Sequence, residues 1–162
     1  MKSLLKILLA AAILWPTLSL VSGCSDEDDC SMTARPMTLC NVCHYVDSTY
    51  STRTDTLDSL HVTAFGTDSV ILNRGVQIKS LSLPLRYTED STKLVFDYIN
   101  PRLKDTVTIY HTNTPYFVSM DCGYQMKQAI EEVKYTRHLL DSISITNTEP
   151  GIYGLENIKL FY

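Results

Sequence analysis

The sequence predicts an all-β domain: an antiparallel two-sheet sandwich, immunoglobulin-like or transthyretin-like, of about nine strands with at most one short helix. Three observations predict it. Short runs alternate apolar and polar residues with period two, which buries one face of a strand. Four of them follow Asp with Ser or Thr, residues whose side chains bond their own backbone in turns. Turn residues separate the runs at near-regular intervals, as in sandwiches. With 44% hydrophobic and 9% aromatic residues, the 162-residue chain can fill a core and is too apolar for disorder.

Taken in order, the first run is Leu39 to Val46. The four repeats of Asp, Ser or Thr and alternating apolar residues are Asp58-Ser59-Leu60-His61-Val62, Asp68-Ser69-Val70-Ile71-Leu72, Asp105-Thr106-Val107-Thr108-Ile109 and Asp141-Ser142-Ile143-Ser144-Ile145. Each reads as a turn feeding a strand. Ser80 to Leu85, Lys93 to Tyr98, Tyr116 to Met120 and Asn157 to Tyr162 alternate as well. The stretch "GYQMKQAIEEVKYTRHLL" is ambiguous. Met126, Ala129, Ile130, Val133 and Leu140 keep roughly helical spacing among good helix formers, whereas Val133, Tyr135, Arg137 and Leu139 alternate.

The first 23 residues read as an export leader. Lys2 and Lys6 give a positive start, Leu4 to Leu20 an apolar stretch, and Ser22 and Gly23 a small-residue end. Lys6, Pro16, Thr17 and Ser19 interrupt the run too often for a retained spanning helix, which needs about 20 apolar residues. Val21-Ser22-Gly23-Cys24 resembles a bacterial lipobox, so Cys24 is the expected lipidation site and mature N-terminus. Acyl chains on Cys24 would enter a bilayer at about 0.8 kcal/mol per buried methylene. The expected organisation is a lipoprotein signal peptide over 1–23, an acidic tether over 24–34 and a β-sandwich over 35–162. Removing the leader takes away two lysines and no acid, so a net charge of −4 becomes −6.

That acidity repels phosphate backbones, and no basic cluster with interleaved aromatics offsets it, so nucleic-acid binding is not expected. Ser25-Asp26-Glu27-Asp28-Asp29 lacks the spaced D-x-D-x-D-G of a calcium loop and reads as a solvated tether, with no metal site. His44, His61, His111 and His138 are scattered, and no H-E-x-x-H, G-x-S-x-G or phosphate-cradling glycine loop is present. No catalytic residue and no cofactor is assigned.

With Cys24 lipidated, Cys30, Cys40, Cys43 and Cys122 remain, and four cysteines allow three pairings. An exported compartment permits disulfides. Cys30 precedes the first strand and Cys122 follows the one ending near Met120, so Cys30–Cys122 is the favoured bridge. "CNVCH", residues 40–44, matches the c-type haem attachment motif, with Cys40 and Cys43 as thioether sites and His44 as the iron ligand. In a strand, however, positions three apart point to opposite faces. A monohaem electron carrier is therefore the alternative reading.

The stretches "CSDEDDCSMTARPM", "LSLPLRYTEDST", "HTNTPYFVSMDCGYQMKQAI" and "KYTRHLLDSISITN" resemble an uncharacterised lipoprotein family of the Bacteroidota, over essentially the whole mature chain. The resemblance implies cysteines at positions like Cys30 and Cys122, in support of that pairing, and strand rather than helix after Gly123. It also implies that C-x-x-C-H is foreign to the family's pattern, and it implies no reaction. A serine followed by acids after the lipidated cysteine resembles the surface-export signal of such lipoproteins. The expected protein is a non-catalytic structural or binding module of the cell envelope, lipid-anchored in the outer membrane. It faces the cell surface, or alternatively the periplasm, with a partner such as an outer-membrane barrel.

Overall fold

The computed structural model describes residues 35–46 and 51–162. The leader, the acidic tether, Cys24 and Cys30 lie outside the described residues. The described residues belong to one compact unit.

Where the sequence alternates, the chain is extended. Ten strands follow in order: β1 (Met37–Val46), β2 (Ser51–Thr54), β3 (Leu57–Ala64), β4 (Val70–Ile78), β5 (Ser80–Pro84), β6 (Ser91–Tyr98), β7 (Leu103–Ser119), β8 (Gly123–Tyr135), β9 (Ser142–Ile145) and β10 (Glu156–Phe161). They form two five-stranded sheets. One runs β2-β1-β10-β9, with β5 also paired to β1; the other runs β4-β3-β6-β7-β8. Inward residues of both sheets make one core. Leu60, Val62, Leu94, Phe96, Tyr98, Val107, Ile109 and Ile130 meet Cys40, Val42, Leu81, Leu83, Ile158 and Leu160 there. Each large side chain fully buried in this way contributes about 1.5–3 kcal/mol.

The expected sandwich is present, and one pairing departs from an all-antiparallel arrangement. β1 lies parallel to β10, with Cys40 opposite Ile158 and Cys43 opposite Phe161. The first and last strands of the sandwich thus close one sheet together. Period-two patterning sets which face is buried and carries no information on neighbour order, so this pairing could not be read from the sequence.

One further expectation is corrected. Asp105 is not in a turn but inside β7, fully buried. Its carboxylate accepts bonds from the backbone N–H groups of His138, Leu139 and Leu140, from Thr136 Oγ1 at 2.8 Å, and faces His138 Nδ1 at 3.0 Å. It therefore pins the loop after β8 to the core. Burial alone would raise its pKa, but those donors outweigh it and bring the carboxyl down to about 2.

The ambiguous stretch is strand from Gly123 to Tyr135, as the resemblance implied, with no helix among the described residues. Tyr110 pairs with Glu132 and His111 with Ile130, so a bulge at Glu131 interrupts β8. The extra residue flips the parity: Gln128 and Ile130 are buried before it, whereas Val133 and Tyr135 face inward after it. A step of three between Ile130 and Val133 is what gave the segment its helical spacing.

Candidate partner-docking surface

β7 is 17 residues long, but β6 pairs only with its first half, from Leu103 to Tyr110. Beyond Tyr110 it pairs with β8 alone, as far as Ser119 opposite Gly123. The result is a two-stranded arm. Pro115 lies within it, and a residue without an N–H is tolerated there because that edge of β7 has no strand neighbour. Gly123, with φ of 68°, closes the tight turn at the tip in the left-handed region that glycine adopts without strain.

A polar root fixes where the arm leaves the sandwich. Thr92 Oγ1 and His111 Nε2 lie 2.9 Å apart, both buried. Burial lowers the His111 pKa and favours the neutral ring, although Asn113 and nearby acids push the other way. Gln128 Nε2 donates to Asn113 Oδ1 at 2.7 Å, and Asn113 Nδ2 donates to the carbonyls of Glu89 and Arg86. The loop before β6 is thereby tied across the arm's base.

Past this root five large apolar side chains stand exposed. Tyr116, Phe117 and Val118 are 47%, 51% and 38% exposed, and Met120 and Tyr124 reach 90% and 73%. Phe117 and Tyr124 meet edge to face, with ring centroids 5.4 Å apart. Tyr116, Gln125, Met126 and Lys127 form one wall of a groove of about 350 Å³, closed on the other side by Pro36 and residues 150–153. On that side Ile152 and Tyr153 are exposed, as is Leu155 just after them. Contiguous exposed apolar area of this kind marks interaction surfaces on soluble domains. The outer edge of β8 carries Lys127, Glu131, Glu132 and Lys134, charges that discourage strand addition.

The cysteines fall in two places. Cys122 sits in the turn at the arm's tip, its N–H donating to Ser119 Oγ at 3.1 Å. Cys40 and Cys43 are free and buried. Cys40 belongs to the core between the sheets, whereas Cys43 lies on the opposite face of β1 beside Phe161, on which Tyr45 stacks at 4.2 Å. Burial, reinforced by Glu156, raises both thiol pKa values. His44 lies against Asp55, Nδ1 to Oδ2 at 3.3 Å. A c-type haem needs both sulfurs and the imidazole on one face of the ring. β1 points the two thiols to opposite faces and seals one in the core, so these three residues do not fit that group. The Cys30–Cys122 expectation rests on a residue outside the described ones.

Among the described residues no three His, Cys, Asp or Glu side chains gather as a metal site. Sequence reasoning missed the arm because Asp105–Ile109 and Tyr116–Met120 read as two strands. They are the two ends of one, and Pro115 between them was the available sign that its outer half lies at an edge.

Residues 59–162 match the family of unknown function DUF6452. The chain belongs to that family. The matched region runs from β3 to the C-terminus, includes Cys122 and the whole arm, and leaves out Cys40, Cys43 and His44. No curated protein and no solved structure matches the chain.

Proposed function

We propose that this DUF6452 protein is an exported lipoprotein, held in the outer membrane by acyl chains on Cys24 and facing the cell surface. There it acts as a non-catalytic binding module that docks onto another envelope protein, such as an outer-membrane barrel, through the β7–β8 arm. The observation that carries this reading is the arm itself: a protruding hairpin whose apolar side chains contribute little to the core and stand exposed. The export leader and Val21-Ser22-Gly23-Cys24 support the address, as does the resemblance to lipoproteins of the Bacteroidota.

Cell fractionation tests the anchor. The Cys24→Ala variant should leave the membrane fraction, and a variant that still sediments with membranes would remove the anchor from the account. Proximity crosslinking in intact cells tests the docking, with the wild type yielding a defined envelope partner that a Phe117→Ser, Tyr124→Ser chain no longer captures.

A Cys30–Cys122 disulfide belongs to the same proposal. Of the described cysteines, Cys40 and Cys43 are free and buried, and Cys122 sits at the arm's tip. A bridge closing about ninety residues would contribute roughly 4–5 kcal/mol by chain-entropy reasoning. It would tie the tether to the arm's tip and set how the arm is presented. Non-reducing peptide mapping should find the linked pair, and a Cys40–Cys122 linkage would contradict it.

A further inference from the structure

The other end of the second sheet carries chemistry that the docking reading does not use. Strand β4 bulges opposite β3. Leu60 pairs with Gly75 and Val62 with Leu72, so Asn73 and Arg74 together face His61. Arg74 is held at φ of 45°, in the left-handed region that a non-glycine residue rarely occupies, and its N–H donates to His61 Nδ1 at 3.4 Å. Bulges re-aim side chains, and strained backbone of this kind gathers at functional sites.

From the bulge a row of outward residues crosses the sheet. His61 pairs with Asp97, and Asp97 with Lys104. The turn between β6 and β7 adds Ile99 and Arg102. Asn73, Arg74, His61, Asp97, Lys104 and Arg102 line an open cleft of about 930 Å³. Lys104 is matched by Asp97 at 2.8 Å, whereas Arg74 and Arg102 have no ion-pair partner among the described residues. On a chain of net charge −4, this cleft holds two unmatched guanidinium groups, presented from different elements. Guanidinium forks suit phosphoryl oxygens, and unspent positive charge in a concavity concentrates anions.

We propose that this cleft is a binding site for a phosphate monoester carried on a sugar-sized body. The two arginines supply the charge that matches a dianion. Asn73 and His61 offer polar contacts beside them, and Ile99 gives the body an apolar wall. The cleft is far larger than a phosphate group, and the remainder of its volume accommodates the attached ring.

Titration of the full chain with glucose 6-phosphate at low ionic strength, followed by calorimetry, tests this. Saturable binding is expected that weakens about tenfold or more in Arg74→Gln and separately in Arg102→Gln. Arg53→Gln, the same charge change on β2 of the other sheet, should leave it unchanged. Arg102 lies outside the bulge, so its variant reports on binding even if Arg74→Gln disturbs β4. Sedimentation of the Cys24→Ala chain with phosphatidylcholine vesicles, with and without phosphatidic acid, separates the sources. Pelleting that requires both phosphatidic acid and Arg102 assigns a lipid headgroup, and binding of the sugar phosphate alone assigns a soluble ester. Absence of saturable binding to either probe, equal binding of glucose or glucuronate, or equal loss in Arg53→Gln would overturn the proposal.

Discussion

Between Leu103 and Tyr110, β7 is paired with β6 throughout and with β8 from Val107 on, and Asp105, Val107 and Ile109 point into the core, fully or almost fully buried. Between Thr112 and Ser119 the same strand has β8 as its only neighbour, and Tyr116, Phe117 and Val118 are exposed. Both halves are rich in β-forming residues. What separates them is alternation. Polar residues alternate with apolar ones in the inner half, whereas the outer half runs Pro115-Tyr116-Phe117-Val118 without a polar break. A strand with one wet face needs the first pattern. The second places apolar groups on both faces of a two-stranded ribbon, which the fold leaves about half exposed, and the proposed partner would cover them.

The comparison is broken most severely at Asp105. Replacement by Ala leaves three backbone N–H groups and Thr136 without their acceptor, and a loss of about 3–5 kcal/mol is expected by urea denaturation. A loss near zero would mean that the loop after β8 does not depend on this anchor. Ile109→Ala, in the same half, opens a cavity between the sheets and should remove about 3 kcal/mol, read from the same denaturation curves.

Acid tests the inner half without a mutation. The Asp105 carboxyl is depressed to about 2 in the folded protein, below an ordinary carboxylate near 3.9 when unfolded. A depressed pKa stabilises the fold above the unfolded value, and that stabilisation is lost as pH falls through the folded one. Melting temperatures should therefore drop between about pH 4 and pH 2, with Asp105 contributing the equivalent of about 2 kcal/mol, and the drop should be smaller by that amount in Asp105→Asn. The outer half should respond least. Phe117→Ser removes one edge-to-face contact with Tyr124 and should change stability by about 1 kcal/mol or less in thermal melts.

How far the sequence foretold these regions depends on whether alternation survived. It did in β5 and β6, where Leu81 and Leu83, and Leu94, Phe96 and Tyr98, are buried every second residue, and both strands fall within a residue or two of where the pattern puts them. It failed at bulges. One at Glu131 made β8 resemble a helix. Another at Asn73 and Arg74 cut the reading of β4 short at Leu72, although the strand continues to Ile78. Gly75 inside that run was the legible sign of an irregular strand. Asp105 was misread because a buried carboxylate and a turn carboxylate look alike in sequence; only the donors from residues 136–140 distinguish them. The opposed thiols of Cys40 and Cys43 followed from strand parity alone, whereas the cleft arginines come from β4 and from the turn after β6, joined only by the sheet's neighbour order.

The claim that the outer half of β7 serves a partner rather than the fold is tested most directly by a photo-reactive residue placed at Tyr124, in cells that express the chain at native level, with Lys134 as the reference position on the same strand. A discrete adduct with one outer-membrane protein should form from position 124 and not from 134. It should disappear when Phe117 is also replaced by Ser, while the melting temperature stays within a few degrees of wild type. No adduct at 124, or the same adducts from both positions, would contradict the account.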